Sequence, residues 1–508
     1  MAVAHTRSIA LVGLSPSVVD VEADISPGLP GFWVIGLPDA ALGESRGRVR
    51  AAASNSGLPI TSRKLTVSLS PAALPKHGSG FDLAIALSAL AAAGDVPAGP
   101  VSETVHIGEL GLDGRLRPTP GVLPAVIGAV RAGSPRVMVP SANADEARLV
   151  PGAEVLAVSS LREAAIRHGA ELDPEPVEAW PAPPAEDDDV EAAELADVVG
   201  NEEAIEALTV AAAGGHHVFF VGPPGAGKTM LAERLPGLLP DLGTAASLEA
   251  TSVRSLAGDP VAGLVTRPPF EAPHHTATAA AIVGGGSGRI RPGAAVRASH
   301  GVLFLDEAPE FASSVLDVLR QPLESGEIRI HRANAVATFP GRFQLVMAAN
   351  PCPCGQYESG DADCTCAPRS RMRYLAKISG PLLDRVDIRL RVRRTTAAQL
   401  ALASTSKRLT TAEARARVQG ARESAAARLA GTPWMINAQV PGSWLREKAR
   451  AFPPGTTAVL DRALERGAIT MRGYDRSLRV AWSIADLAGR DRPAAEDVSA
   501  ALFLRKGL

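Results

Sequence analysis

The chain has 508 residues, a formal net charge of −2 and four cysteines. That length suits about two to four domains, each able to bury a core, and the near-balanced charge excludes a global field that would gather nucleic acid. No apolar run reaches the ~18 residues that span a bilayer, MAVAHTRSIALVGLSPS has too short an apolar core for a signal peptide, and four clustered cysteines exclude a disulfide scaffold, so we expect a cytoplasmic protein without a membrane partner.

Residues 1–170 alternate strand-like SPSVVDVEADI and KLTVSLSPA with the helical FDLAIALSALAAAG, the pattern of an α/β domain with its own core. Two stretches, LPKHGSGFD at 74–82 and GELGLDGRL at 108–116, resemble the proteolytic domain of Lon-type (S5) proteases. That resemblance implies a Ser–Lys dyad, in which an amine activates a hydroxyl. The flanking residues put Gly80 at the nucleophile position, with Ser79 one place off, and the partner lysine near Leu123. No lysine occurs between Lys76 and Lys228, and a leucine cannot deprotonate a serine. The domain is therefore read as peptidase-inactive. Lys76, His77 and Asp82 are left to a binding surface or to turn and capping roles.

Residues 171–195 mix proline with a run of acids and read as an extended linker. HHVFFVGPPGAGKTMLAERL follows at 216–235, an apolar strand and a helix joined by G-x-x-x-x-G-K-[ST]. The glycines of Gly222, Pro223, Pro224, Gly225, Ala226 and Gly227 let backbone N–H groups curl around phosphate at a helix N-terminus. Lys228 reaches the β and γ phosphates, Thr229 offers a hydroxyl to Mg²⁺, and Met230 closes the nucleotide-contact set. An ATP site with Mg²⁺ is expected.

Two later segments carry arginines. His274-His275-Thr, then Gly284-Gly-Gly286-Ser-Gly288-Arg-Ile-Arg291-Pro, is a long, mildly basic insert. Adjacent histidines point apart in a strand, which argues against a metal role for this pair. EIRIHRAN at 327–334 alternates as a strand, with Arg329 and His331 on one face and Arg332 on the other. Flexible arginine-bearing loops suit phosphate backbones, although aromatics for base stacking are scarce.

Between these segments, GVLFLDE at 301–307 is an apolar run ending in acids, as a buried strand delivers them. Asp306 is suited to the magnesium shell and Glu307 to polarising the attacking water. FQLVMAAN at 343–350 ends in Asn350, an amide placed to orient water near the γ-phosphate. Directly after it, Cys352-x-Cys354 and Cys364-x-Cys366 offer four thiolates at the two ends of a Gly/Asp-rich loop. Such a set suits a closed, structural tetrahedral Zn²⁺ site, the alternative being four reduced thiols or a redox pair.

GPPGAGKTML, RPPFEAPHHTATAAAIVGGG, GVLFLDEAPEF, RQPLESGEIRIHRA, AANPCPCG and ISGPLLDRVDI together resemble the ComM/YifB group of magnesium-chelatase-related AAA+ ATPases. The resemblance implies a P-loop core with a parallel sheet over 196–394, with the four-cysteine loop at 352–366, and a helical lid over 395–508. It also implies that Asn350 is sensor 1 and that Arg385 is an arginine finger completing a neighbour's site. Sensor 2 falls to Arg472, Arg476 or Arg479, Arg472 fitting best. One departure is Gly200-Asn201, where relatives commonly have Gly-Gln. The implied function is a homohexameric Mg-ATP-driven ring motor on DNA, of helicase or branch-migration type, in recombination of incoming DNA. The alternative is a magnesium-chelatase-like ATPase that remodels a protein partner complex.

Overall fold

The alternation of buried and exposed residues along Ser15–Ser26 makes this strand half-covered, so it pairs in an antiparallel ribbon. Ala2–Val12 lies against it in register from Val12↔Ser15 to Ala2↔Ile25. The turn passes through Gly13, whose φ of 64° favours a residue without Cβ. Five further strands complete a mixed seven-stranded sheet over residues 2–158. The helix Asp82–Ala93 is apolar on all sides and buried along nearly its whole length, and it packs on the central strands. In this computed structural model the described residues are 2–36, 40–60, 64–71, 74, 76, 80–178, 180–181, 193–286, 290–332, 335–357, 364–403 and 407–507.

A second sheet is wholly parallel, in the order Phe270–Glu271, Val302–Leu305, Gln344–Ala349, Val218–Val221, Ile388–Arg391. Every residue of the three middle strands is buried, because layers cover both faces of the sheet. All five strands run the same way, so Gly222, Asp306 and Asn350 leave the sheet at one edge. This is the expected α/β core with a parallel sheet.

Among the described residues from Ala397 to Lys506 the regular elements are helices and one short 3₁₀ turn. Met471–Leu487 packs on Glu202–Gly214, Thr411–Arg428 and Ala495–Lys506. Among the described residues no helix is long and apolar enough to cross a membrane.

The first sheet is joined to the second region at two places. Gly13 bridges Thr338 of the hairpin Glu327–Arg332/Ala335–Pro340, and Leu11, Val12 and Leu14 pack into the core beneath it. Further on, Glu146 accepts hydrogen bonds from Ser255 Oγ, from Asn143 Nδ2 (2.9 Å) and from the Leu123 N–H (2.9 Å).

Leu123 is thus a fully buried helix residue at this junction. The expectation of a binding surface at Lys76 and Asp82 is corrected, since both are fully buried. Lys76 Nζ donates to the carbonyls of Gly36 (3.2 Å) and Pro71 (2.5 Å), and Asp82 accepts from Ser45 and from Arg48 Nε at 2.8 Å. Burial pushes the Asp82 carboxyl up, against the pull of Arg48 and Ser45. His77, Ser79, Gly288 and the acidic run within the linker lie outside the described residues.

Candidate nucleotide site

The phosphate loop follows the strand Val218–Val221 and opens the helix Lys228–Leu238. Gly225 and Gly227 have φ of 73° and 90°, and a Cβ at Gly222 would lie 2.1 Å from the Val392 carbonyl oxygen. These positions let the backbone turn its N–H groups inward beside the helix N-terminus. Lys228 Nζ donates to the carbonyls of Gly222 (2.7 Å) and Pro223 (3.0 Å) and to Asn350 Oδ1 (3.1 Å). Burial lowers the Lys228 pKa, while Asp306 and Glu307 oppose that shift.

Thr229 Oγ1 donates to Asp306 Oδ2 at 2.8 Å, and Asp306 Oδ1 accepts the Glu307 N–H at 2.8 Å. A hydroxyl and a carboxylate set together at a phosphate loop form an oxygen-only donor pair fitting a hard cation. Thr229 and Asp306 are therefore the residues that would hold Mg²⁺. Glu307 has φ of 49°, left-handed backbone rarely adopted by a side-chain-bearing residue. Its carboxylate is half exposed and its Oε2 lies 3.3 Å from His275 Nδ1.

That contact corrects the expectation that His274 and His275 point apart. They lie in a turn closed by Ala277 N–H to the His274 carbonyl (2.9 Å), and their ring centroids are 4.1 Å apart. A turn swings successive side chains to the same side, which an extended strand does not.

The four sulfurs of Cys352, Cys354, Cys364 and Cys366 all lie within 4.8 Å of one another. Cys352 Sγ is 3.3 Å from that of Cys354 and 3.8 Å from that of Cys364, which is 3.7 Å from Cys354. Zn–S bonds of about 2.3 Å in a tetrahedron require S–S spacings of about 3.8 Å, so the set fits zinc. The N–H of Gln356, with the neighbouring thiols, holds the Cys354 thiol down to about 6. This loop touches the phosphate loop: a Cβ at Gly355, whose φ is 75°, would lie 2.7 Å from Pro224 Cδ. Arg394 joins in, its Nε donating to the Pro224 carbonyl at 3.3 Å. The sequence reading missed Arg394, whose only signal is a basic pair just past the last strand.

Arg385 and Arg472 lie elsewhere. Both line a cavity of about 910 Å³ with Gly301, Phe343 and His217. Those three residues precede or open their strands, so the cavity is at the sheet edge opposite the phosphate loop. Four strand residues separate the edges by about 13 Å. Arg385 is buried, with Nη1 donating to the Pro381 carbonyl (2.6 Å) and Nη2 to the Glu324 carboxylate.

Arg476 is tied to buried Asp387 (2.6 Å) and to the Arg385 carbonyl (2.8 Å), and Arg479 Nε to the Val440 carbonyl (2.8 Å). Burial favours a neutral Asp387, yet Arg476 and the two neighbouring histidines hold its carboxyl well below the usual range. Arg472 is exposed and has no hydrogen-bond or ion-pair partner among the described residues, which separates it from the other two.

Three family models match in succession: Subunit ChlI of Mg-chelatase over 21–143, Magnesium chelatase, subunit ChlI over 194–400, and Magnesium chelatase, subunit ChlI C-terminal over 408–505. The protein Rv2897c of Mycobacterium tuberculosis is 50% identical over 512 residues, covering 100% of this chain and 99% of that one. Competence protein ComM of Haemophilus influenzae is 39% identical over 495 residues (97% and 95%), and YifB of Escherichia coli 37% over 496 (97% and 94%). A shorter stretch of 192 residues is 28% identical to Probable DNA helicase MCM9 of Oryza sativa subsp. japonica, covering 38% of this chain and 23% of that one. With the phosphate loop, its paired acids and the parallel sheet that carries them, this similarity over nearly the full length means that the chain belongs to the ComM/YifB family of magnesium-chelatase-related AAA+ ATPases.

Proposed function

We propose that the protein is a Mg-ATP-hydrolysing ring motor that moves on DNA, of helicase or branch-migration type, serving recombination of incoming DNA. The observation that carries the ring is the division of the site. Lys228, Thr229, Asp306, Glu307 and Asn350 converge at one sheet edge, and the guanidiniums of Arg385 and Arg472 stand at the other. A nucleotide that needs both sets lies between two copies, and repeating that contact with rotation closes a ring.

Within one such interface, Lys228 and the loop N–H groups bind phosphate, and Asn350 and Glu307 orient and polarise the water. Arg385 and Arg472 of the adjoining copy stabilise the charge that develops on the transferred phosphoryl group. Mg²⁺, when bound, supplies charge neutralisation between phosphates. The four-cysteine loop, with Zn²⁺, braces the phosphate loop through Gly355 and Pro224. In this scheme residues 1–170 form the peptidase-inactive domain, 196–394 the motor core and 395–508 the lid.

DNA is favoured as the track by the two hairpins. Arg291 and His331 are exposed on them, as is Arg329, which pairs with Glu327 at 2.8 Å. The partial similarity to Probable DNA helicase MCM9 points the same way. A second reading, a magnesium-chelatase-like remodeller of a protein complex, draws on the three ChlI models.

Steady-state ATP hydrolysis with and without single-stranded and forked DNA tests the choice, with Glu307→Gln as the inactive control. Stimulation by DNA that Glu307→Gln abolishes supports the motor. Hydrolysis indifferent to DNA moves the assignment to the remodeller.

A further inference from the structure

The turn that carries Arg385 is pinned by its backbone. The Arg385 N–H donates to the Leu382 carbonyl at 3.0 Å. Its carbonyl accepts from Arg476 Nη1 at 2.8 Å, a nitrogen that buried Asp387 holds at 2.6 Å. Any change in where the Arg385 charge stands is therefore a swing of the side chain. That side chain is folded back on the protein, with Nη1 donating to the Pro381 carbonyl at 2.6 Å and Nη2 to the Glu324 carboxylate. Nε is buried and has no hydrogen-bond partner among the described residues.

Glu324 comes to this contact from 61 positions earlier in the chain. It lies on the helical turn Pro322–Ser325, which ends at Gly326 with φ of 69°. The Gly341 N–H donates to the Gly326 carbonyl at 2.9 Å, tying the turn to the far end of the hairpin that follows. Pro322 is buried, so the carboxylate has a set place, although its side chain is half exposed. Glu324 and Arg385 both line the cavity at the sheet edge opposite the phosphate loop. Here a carboxylate of the same chain, not a phosphate, neutralises the guanidinium.

A guanidinium fork binds carboxylate and phosphate in the same way, so the two anions compete for it. The resting pair is a weak competitor. Ion pairs open to water contribute little, and the unpaired buried Nε disfavours the folded-back side chain. A terminal phosphate entering the cavity from an adjoining copy brings more charge and more acceptor oxygens than one carboxylate. We propose that Glu324 is a positioning residue: it holds and neutralises Arg385 until charge builds on the neighbour's transferred phosphoryl group, then gives it up. The inference rests on the reading of Arg385 as the finger of an adjoining copy. Glu324, already half exposed, is left to water. Because this exchange falls within the chemical step, kcat registers it and KM does not.

The test is steady-state ATP hydrolysis by the full-length protein without DNA, for Glu324→Gln, Arg385→Ala and the double variant. Glutamine keeps an oxygen for Nη2 and removes the charge. Glu324→Gln should raise kcat roughly twofold to fivefold, the scale of one ion pair open to water, with KM unchanged. A rise in kcat is a readout that mere loss of structure does not produce. In Arg385→Ala, itself nearly inactive, the same substitution should change nothing. A kcat unchanged or lowered in Glu324→Gln, beside an inactive Arg385→Ala, overturns the proposal and leaves the finger reading standing. An equal rise in both backgrounds also overturns it, since Glu324 would then act through another group. Arg385→Ala with the wild-type kcat removes the finger reading, and the proposal with it.

Discussion

Lys228 Nζ donates to Asn350 Oδ1 across 3.1 Å, so the ammonium of the glycine-rich loop and the amide at the end of the neighbouring strand form one unit. An incoming phosphate is expected to compete for this ammonium and so to free the Asn350 carbonyl for a water. Lys228→Ala is expected to abolish nucleotide binding, because a buried cation aimed at phosphate is lost. Asn350→Ala should keep nucleotide affinity within a few fold while kcat falls about 10²-fold, the scale of one orienting dipole. Equilibrium binding of a fluorescent ATP analogue, set beside steady-state kcat, separates the two.

The four-cysteine loop should carry one Zn²⁺ per chain, read by elemental analysis of the purified protein. Cys352→Ser removes the buried ligand and should lose the metal. Because Gly355 packs on Pro224, the loss should also weaken ATP binding, by roughly tenfold if second-sphere support is a guide. Metal-free protein that binds ATP with full affinity would disconnect the two sites.

Which parts of this site were legible in the sequence follows from range. Lys228 and Thr229 sit in one loop, and Asp306 and Asn350 each end an apolar run, so a local pattern announces them. The pairing of Asp387 with Arg476 joins residues 89 positions apart, and that of Glu146 with Ser255 joins residues 109 apart; no window of sequence encodes either. Lys76 and Asp82 read as surface polar residues because their carbonyl, serine and arginine partners come from elsewhere in the chain. The histidine pair was misread because the turn at His274 follows a strand only two residues long.

A divided site makes a complementation prediction. Lys228→Ala and Arg385→Ala are each expected to be nearly inactive alone. In mixed rings, an interface works when its phosphate loop comes from the arginine variant and its finger from the lysine variant. Random mixing at equal amounts makes about a quarter of the interfaces complete. ATPase activity of the co-assembled mixture should rise well above either variant. A mixture no better than its parts would place Arg385 outside the nucleotide site.

Acid should weaken the fold before carboxylates protonate. Burial holds His217 down to about 4, although Asp387 pulls the other way, and His217 Nδ1 accepts the Leu345 N–H at 3.0 Å. Burial, with the Arg136 charge, likewise lowers His168 to about 4. Both folded values lie below the ~6.5 of an unfolded chain, so the unfolded state binds more protons between these limits. Their stabilisation is complete above about pH 6.5 and is lost as pH falls toward about 4, on the order of 3 kcal/mol for each histidine. Thermal melting should drop by several degrees between about pH 7.5 and 5.5, and His217→Gln should flatten that slope.

The junction at Glu146 offers the last prediction. Its carboxyl is buried, and burial pushes its pKa up while Ser255, Asn143 and the Leu123 N–H hold it down. Ser255 belongs to the helix Thr244–Ala257, and the Gly121 N–H donates to its carbonyl at 2.9 Å, so one residue ties the two regions by backbone and side chain. Ser255→Ala removes only the hydroxyl, leaving a buried carboxyl oxygen without its partner from that side. The cost should be about 1–3 kcal/mol, confined to the junction. Hydrogen exchange should then quicken in the helix Val122–Arg131 and in Thr244–Ala257, while the core strand Gln344–Ala349 keeps its protection. Uniform loss of protection throughout the chain would mean that the junction is part of one cooperative unit and not a contact between two.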